Sequence, residues 1–345
     1  MNPISTRMLA QQLSSPLFTN PEEVVSHFGA MQAQDYRMMR WAVAMRTRKP
    51  SAEAFLKAYD DGKVIRLHLH RGTWQLVNRE DYWWLLRLCG PRGETVIKGW
   101  MRSNGIDISS SELAQVRDIL AGAAESSQGV TKEDFASVLS EKGITMDEHR
   151  LSYHIRMAEL SGVLCSGNLR QDKATYTLAE RKAGPEPAPT DRDESLSLMA
   201  RKYFRSHSPA TLEDFVWWSG LGVGDCKKAV SILGDELSVE TLCGRDFLVH
   251  VSCRTKGFRK GKAILLPPYD EYLIGYKSRD IALDREFSHK AHNKTGIFYP
   301  VILVDGEVRG NWKPADLSAD FFVGAAPDQD ALRQAVESYS AFKIR

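Results

Sequence analysis

Two carboxamides one residue apart, Gln32 and Gln34, lie in the run Phe28-Gly-Ala-Met-Gln-Ala-Gln-Asp-Tyr-Arg37. In an extended segment, positions i and i+2 project to the same side. Each amide offers an oxygen acceptor and an NH2 donor, so the pair can hold one water between them. Gln-x-Gln by itself is a common surface pairing, and it gains weight here from its position. From Tyr36 to Arg79 ten Lys and Arg stand against three acids, in a chain whose formal net charge is only +2. A second basic run, Arg254-Thr-Lys-Gly-Phe-Arg-Lys-Gly-Lys262, contains no acid. Local cationic density of this kind suits a polyanion, because phosphate binding depends on local charge and released counterions. A solvated charged face has the same composition.

The elements that must position these residues can be read along the 345-residue chain. A hydrophobic content of 43% and a charged content of 26% are those of a folded globular protein. The amino terminus leads into no apolar signal core and no stretch reaches 18 apolar residues, so a cytoplasmic, membrane-free protein is expected. Cys89, Cys165, Cys226, Cys243 and Cys253 are dispersed and never spaced Cys-x-x-Cys. Reduced thiols are expected, rather than a disulfide framework or zinc ribbon.

The proline-rich run Ala183-Gly-Pro-Glu-Pro-Ala-Pro-Thr190 is a linker with a similar block on either side. Upstream, helices are expected over Leu113–Ala123, from a Thr131 cap, and from Asp147 to Leu160, followed by a hairpin within 162–178. Downstream, Leu196–Phe204, a helix capped by Thr211 and Asp225–Leu233 precede a hairpin within 237–251. Thr-x-Glu-Asp-Phe occurs at both 131 and 211, which suits two copies of one small domain. Three helices and a hairpin form the winged helix-turn-helix pattern. On the third helices, Tyr153 and Arg156, then Lys227 and Lys228, fall opposite the apolar stripe. That face suits DNA, and equally a protein partner or solvent. The amino-terminal block is a looser variant: a helix from Pro21 to Phe28, one from Ser51 to Tyr59, and a hairpin over Val64–Val77 turning near Arg71-Gly72. Arg66, His68 and His70 share one face of its first strand. The last quarter reads as a small β-sheet or barrel hinging on Asp305-Gly306, closed by a helix over Asp330–Phe342.

Other motifs carry less. His68-x-His70 and His289-x-x-His292 lack a third ligand at a metal interval, so no metal is expected. Gly220-Leu-Gly-Val-Gly224 lies between helices and reads as a helix-turn-helix turn rather than a nucleotide loop. Tyr82-Trp-Trp84 and Trp217-Trp218 can stack bases, but their helical spacing favours the core.

The chain resembles the AlkZ/YcaQ-like winged-helix DNA glycosylases along nearly its whole length. The resemblance rests on five segments: Met31-Gln-Ala-Gln-Asp35, His70-Arg-Gly-Thr-Trp-Gln-Leu-Val77, Ser208-Pro-Ala-Thr-Leu-Glu-Asp-Phe-Val-Trp-Trp-Ser219, Leu266-Pro-Pro-Tyr-Asp-Glu-Tyr-Leu-Ile-Gly-Tyr276 and Val304-Asp-Gly-Glu-Val-Arg-Gly-Asn-Trp312. It implies an α+β fold of three tandem winged helices (1–111, 112–184 and 190–255) and a C-terminal β-barrel with a closing helix (256–345), in a C-shaped arrangement. It also implies removal of bulky or cross-linked N7-alkylguanine from DNA. No Lys is placed for a Schiff base, so monofunctional hydrolysis is expected, with no cofactor, by a monomer acting on double-stranded DNA. The family's catalytic Gln-x-Gln falls on Gln32 and Gln34, where the YcaQ branch has Asp at the second position. Asp35 is a possible assisting base. Arg37, Arg40, Arg46, Arg48, His68, His70 and Arg71 are expected to face DNA with the third-helix residues. A non-catalytic winged-helix transcriptional regulator is the alternative, and a protein-interaction scaffold a third reading.

Overall fold

The structure is a computed structural model that describes residues 1–125, 127–170, 173–242, 244–322, 324 and 328–343. Cys243, and Gln171 and Asp172 within the expected 162–178 hairpin, lie outside the described residues. The chain divides into two compact units, one of Met1–Phe55 with Leu196–Arg345 and the other of Leu56–Ser195.

The second unit holds the hairpin Val64–His68 and Trp74–Asn78, paired from Val64↔Asn78 to His68↔Trp74. Arg71 takes a left-handed φ of 54° at its tip. The 22-residue helix Tyr82–Ser103 follows, and its Tyr82, Trp83 and Trp84 are buried. Helices Ser110–Glu125, Lys132–Glu141 and Glu148–Leu160 then precede strands Leu164–Ser166 and Thr175–Leu178. Those strands join Val130–Thr131 in a three-stranded sheet. Val116, Leu120, Phe135, Leu151, Ile155 and Ala158 form the core beneath it.

The repeated Thr-x-Glu-Asp-Phe has one physical explanation in both units. At each copy the Thr hydroxyl accepts the Asp backbone N–H, and the Asp carboxylate accepts the Thr backbone N–H. Orphan donors of the helix start are thereby satisfied reciprocally. The Phe that follows, Phe135 or Phe215, is fully buried.

In the first unit, helices Arg192–His207, Leu212–Ser219 and Val223–Leu233 precede the hairpin Leu237–Leu242 and Arg245–His250. Gly220, in the left-handed region at φ 68°, ends the second of these helices. The C-terminal strands form an antiparallel sheet ordered Ala319–Phe321, Glu307–Trp312, Val301–Val304, Ala263–Leu266. Asp305 and Gly306, both at positive φ, make its central turn. This corrects the barrel expectation: the described strands make an open sheet with two edges. It avoids solvating its faces by being covered on both. Leu265, Ile302 and Trp312 pack against Met38, Trp41, Tyr339 and Phe342, while Leu266, Val301, Leu303 and Val308 pack against Met8, Leu13, Tyr272 and Leu273. The helix Gln329–Lys343 lies on the former side.

Candidate active site

The Gln-x-Gln segment is launched by the helix Pro21–Phe28. Pro21 opens that helix and the Glu23 carboxylate accepts the N–H groups of Thr19 and Asn20. Lys202 and Arg205 donate to carbonyls of Ser26 and His27 at its end, where cations complement the free carbonyls. Gly29, at φ 79°, then turns the chain into the strand Ala30–Gln32. A side chain at Gly29 would also press on the Lys202 stem.

The strand ends at Gln32, so the i, i+2 rule does not carry through to Gln34. Gln32 is 6% exposed and its Oε1 accepts the Ala33 N–H at 3.1 Å. Gln34 is exposed. The pair therefore has one member fixed at the edge of the interior and the other presented to solvent. Asp35 is half-buried, and its Oδ1 accepts the N–H of Arg37 at 3.0 Å and of Met38 at 2.9 Å. This caps the turn into the helix Met39–Ala44. Burial first, and then the charge of Asp35, push the phenols of Tyr269 and Tyr339 up.

What holds Gln32 is a carboxylate from the segment Leu266–Tyr276. Glu271 is 3% exposed. Its Oε1 accepts the Gln32 backbone N–H at 2.5 Å, and its Oε2 accepts the Trp218 indole N–H at 3.2 Å. His207 Nε2 lies 3.3 Å from the same Oε2, and burial lowers the His207 pKa. Gly275 makes room for this contact, since a Cβ there would sit 2.6 Å from both the Glu271 carbonyl oxygen and His207 Nε2. Neighbouring Asp270 caps the short helix Glu271–Ile274 and takes both arms of the Arg46 guanidinium, at 2.9 and 2.7 Å.

Arg46 is thus a correction to the DNA-facing set. It is fully buried, and its other N–H groups go to the carbonyls of Gln11 and Ala42 and to the Gln11 amide oxygen. His68, His70 and Tyr153 are corrected likewise, since each is at least nine-tenths enclosed within the second unit. His68 Nδ1 lies 2.5 Å from Glu159 Oε2, and its ring lies over Trp74. Burial lowers the His68 pKa and raises that of Glu159, and it brings His70 down to about 3. Groups so enclosed have no surface to offer a phosphate. Arg37, Arg48, Lys227 and Lys228 are exposed, whereas Arg40, Arg71 and Arg156 are half-buried. Arg40 lies over the Tyr36 ring, and Arg156 near the Trp100 and Tyr153 rings.

Sequence reasoning missed Glu271, Asp270 and His207 as site residues. The available signal was two adjacent acids in an otherwise apolar run, which must be buried and therefore partnered.

Comparison with known proteins decides what such a segment belongs to. The family model described as "DNA glycosylase AlkZ-like" matches residues 25–342, from the helix before Gln32 to the last helix. The chain belongs to the AlkZ-like DNA glycosylases. It is 26% identical to the interstrand DNA cross-link repair glycosylase of Streptomyces sahachiroi over 98% of this chain and 94% of that protein. The solved structure of the Streptomyces sahachiroi DNA glycosylase AlkZ superimposes with a TM-score of 0.80 at 21% identity, covering 99% of this chain and 95% of the other. The likeness in structure speaks for the shared fold. Membership of a family of AlkZ-like glycosylases favours a repair enzyme over a transcriptional regulator. No described helix is long and apolar enough to cross a membrane.

Proposed function

We propose that this AlkZ-like glycosylase is a monomer that hydrolyses the N-glycosidic bond of N7-alkylguanine in duplex DNA, with bulky or cross-linked adducts as substrates. The adduct class is carried by the relative's description as an interstrand cross-link repair enzyme. The chemistry is carried by Gln32 and Gln34. Alkylation at N7 makes the base cationic. When the C1′–N9 bond breaks, the base takes the bonding pair and leaves neutral, needing no proton from the protein. The sugar becomes oxocarbenium-like, and a water must reach C1′. Amide oxygens orient that water and favour the developing positive charge. As the new C1′–O bond forms, the water gives up a proton, which passes to solvent. A strong base is not required, and the Asp35 oxygen that accepts two N–H groups serves the turn that presents Gln34.

The observation that supports this reading best is the unequal exposure of the pair. Gln34 is at the surface, while Gln32 is fixed through its backbone N–H to Glu271, at the start of the short helix Glu271–Ile274. Oligonucleotides carrying N7-methylguanine and a bulky N7 adduct test it. Wild type should release the modified base from at least one of them. Gln32→Ala with Gln34→Ala should lose roughly 10²–10³-fold in single-turnover rate, the scale of removing a positioned polar group, with affinity for undamaged duplex kept. Unchanged excision by the double variant would remove these residues from the mechanism.

A further inference from the structure

The second basic run, residues 254–262, supplies no residue to the site above. It occupies the twelve-residue connection 251–262 between the strands Arg245–His250 and Ala263–Leu266, a long loop for a compact fold and of the length that often carries binding. Lys256, Arg259, Lys260 and Lys262 are exposed, and among the described residues no ion pair engages any of the four side chains. The backbone beneath them is nonetheless tied down. The Ser15 hydroxyl donates to the Gly257 carbonyl at 2.9 Å, and the Arg259 N–H donates to the Ser14 hydroxyl at 3.3 Å. The N–H groups of Gly261 and Lys262 both reach Asp305 Oδ1, at 2.7 and 3.2 Å. Arg254 bonds the carbonyls of Leu9 and Ser15, and Phe258 packs against the core that contains Met8 and Leu13. Lys262 and Pro50 line one groove of about 220 Å³ with Leu13, Trp41 and Met45. The loop is therefore held in place from beneath while its four cationic side chains face solvent.

We propose that the loop cations Lys256, Arg259, Lys260 and Lys262 form a contact surface for the phosphate backbone of duplex DNA, separate from Gln32 and Gln34. Each cation that neutralises a phosphate releases condensed counterions, so affinity falls steeply with salt. An anchored loop has already given up much of the freedom that binding would otherwise remove. DNA is the polyanion because the chain belongs to a DNA glycosylase family. The proposal rests on duplex DNA as partner and not on the roles of Gln32 and Gln34.

The test measures Kd for an undamaged duplex between 50 and 300 mM KCl, for wild type and for Lys256→Ala/Arg259→Ala/Lys260→Ala/Lys262→Ala. The quadruple variant should lower the slope of log K against log salt by about 3 to 4, and weaken binding at least tenfold at low salt, since each phosphate contact contributes about 0.9 to the slope. Melting should be unchanged, because only exposed side chains are removed. An unchanged slope would overturn the proposal and leave a solvated charged loop. So would a slope that changes on anionic phosphatidylserine vesicles but not on DNA. Because the duplex is undamaged, these readings are independent of whether the Gln32/Gln34 double variant still excises.

Discussion

The backbone N–H of Gln32 donates to Oε1 of Glu271 at 2.5 Å, joining residues 239 positions apart. The donor is backbone, so the contact fixes the strand from which Gln32 projects without using its carboxamide. The second Glu271 oxygen is held by Trp218, with His207 alongside. The carboxylate is therefore oriented from two sides before any substrate arrives.

Glu271→Ala removes the acceptor for both N–H groups. Each buried donor left unsatisfied costs about 1–3 kcal/mol. The variant should be less stable and, where folded, should show a single-turnover rate more than tenfold down with little change in Kd for undamaged duplex. Glu271→Gln should recover part of the rate, since its carbonyl oxygen can still accept from Gln32. Stopped single-turnover assays at saturating enzyme give the comparison. A folded Glu271→Ala enzyme with wild-type rate would show that the strand needs no such support.

Arg46 and Asp270 make a second separable prediction. Both are buried, and removing one partner of such a pair costs about 3–5 kcal/mol because the other charge is stranded. Arg46→Met and Asp270→Leu should each lose that much in urea unfolding, and the double variant should lose clearly less than the sum. A residue that merely touched phosphate would show the reverse, with DNA affinity lowered and stability kept.

Two glycines are required for different reasons. Gly306 has φ 90°, and a Cβ there would run into Ile4 Cγ2. Gly306→Ala therefore meets both backbone strain and a clash. Gly275 has an ordinary φ of −67°, so Gly275→Ala meets only the crowding against Glu271 and His207. Both should destabilise by about 1–3 kcal/mol, the usual range for overpacking. Gly275→Ala should in addition slow excision, which Gly306→Ala should not do once correction is made for the folded fraction.

The sequence was most readable where the physics is local. The Thr131 and Thr211 caps, the Asp305-Gly306 turn and the buried Leu151, Ile155 and Ala158 stripe depend on neighbours within a few positions. Helical spacing also placed Trp83, Trp84 and Trp218 in the core, while Trp217, next to one of them, is 38% exposed. Arg46 and His68 were misjudged because a charge is read as exposed until its partner is known. Those partners, Asp270 and Glu159, lie 224 and 91 positions away. Closure of the C-terminal strands failed for the same reason, since it depends on edges that no local pattern reports. The uneven burial of Gln32 and Gln34 followed from where the strand stops, a matter of one residue.

Acid sensitivity gives the remaining prediction. His27 is buried, and its Nε2–H donates to the Ala10 carbonyl at 2.8 Å. Burial brings its pKa from 6.5 to about 3. Between those values the unfolded chain takes up a proton that the folded chain refuses, so stability is full above pH 6.5 and is lost as pH falls towards 3. At pH 5 the loss from this one residue is about 2 kcal/mol. His27→Gln keeps a donor for Ala10 but has nothing to titrate. It should start less stable at pH 7, yet lose about 2 kcal/mol less than wild type between pH 7 and pH 5 in urea titrations. Equal losses in the two proteins would mean that His27 is protonated alike in the folded and unfolded chains, contrary to its enclosure against the Ala10 carbonyl and the Phe18 and Phe28 rings.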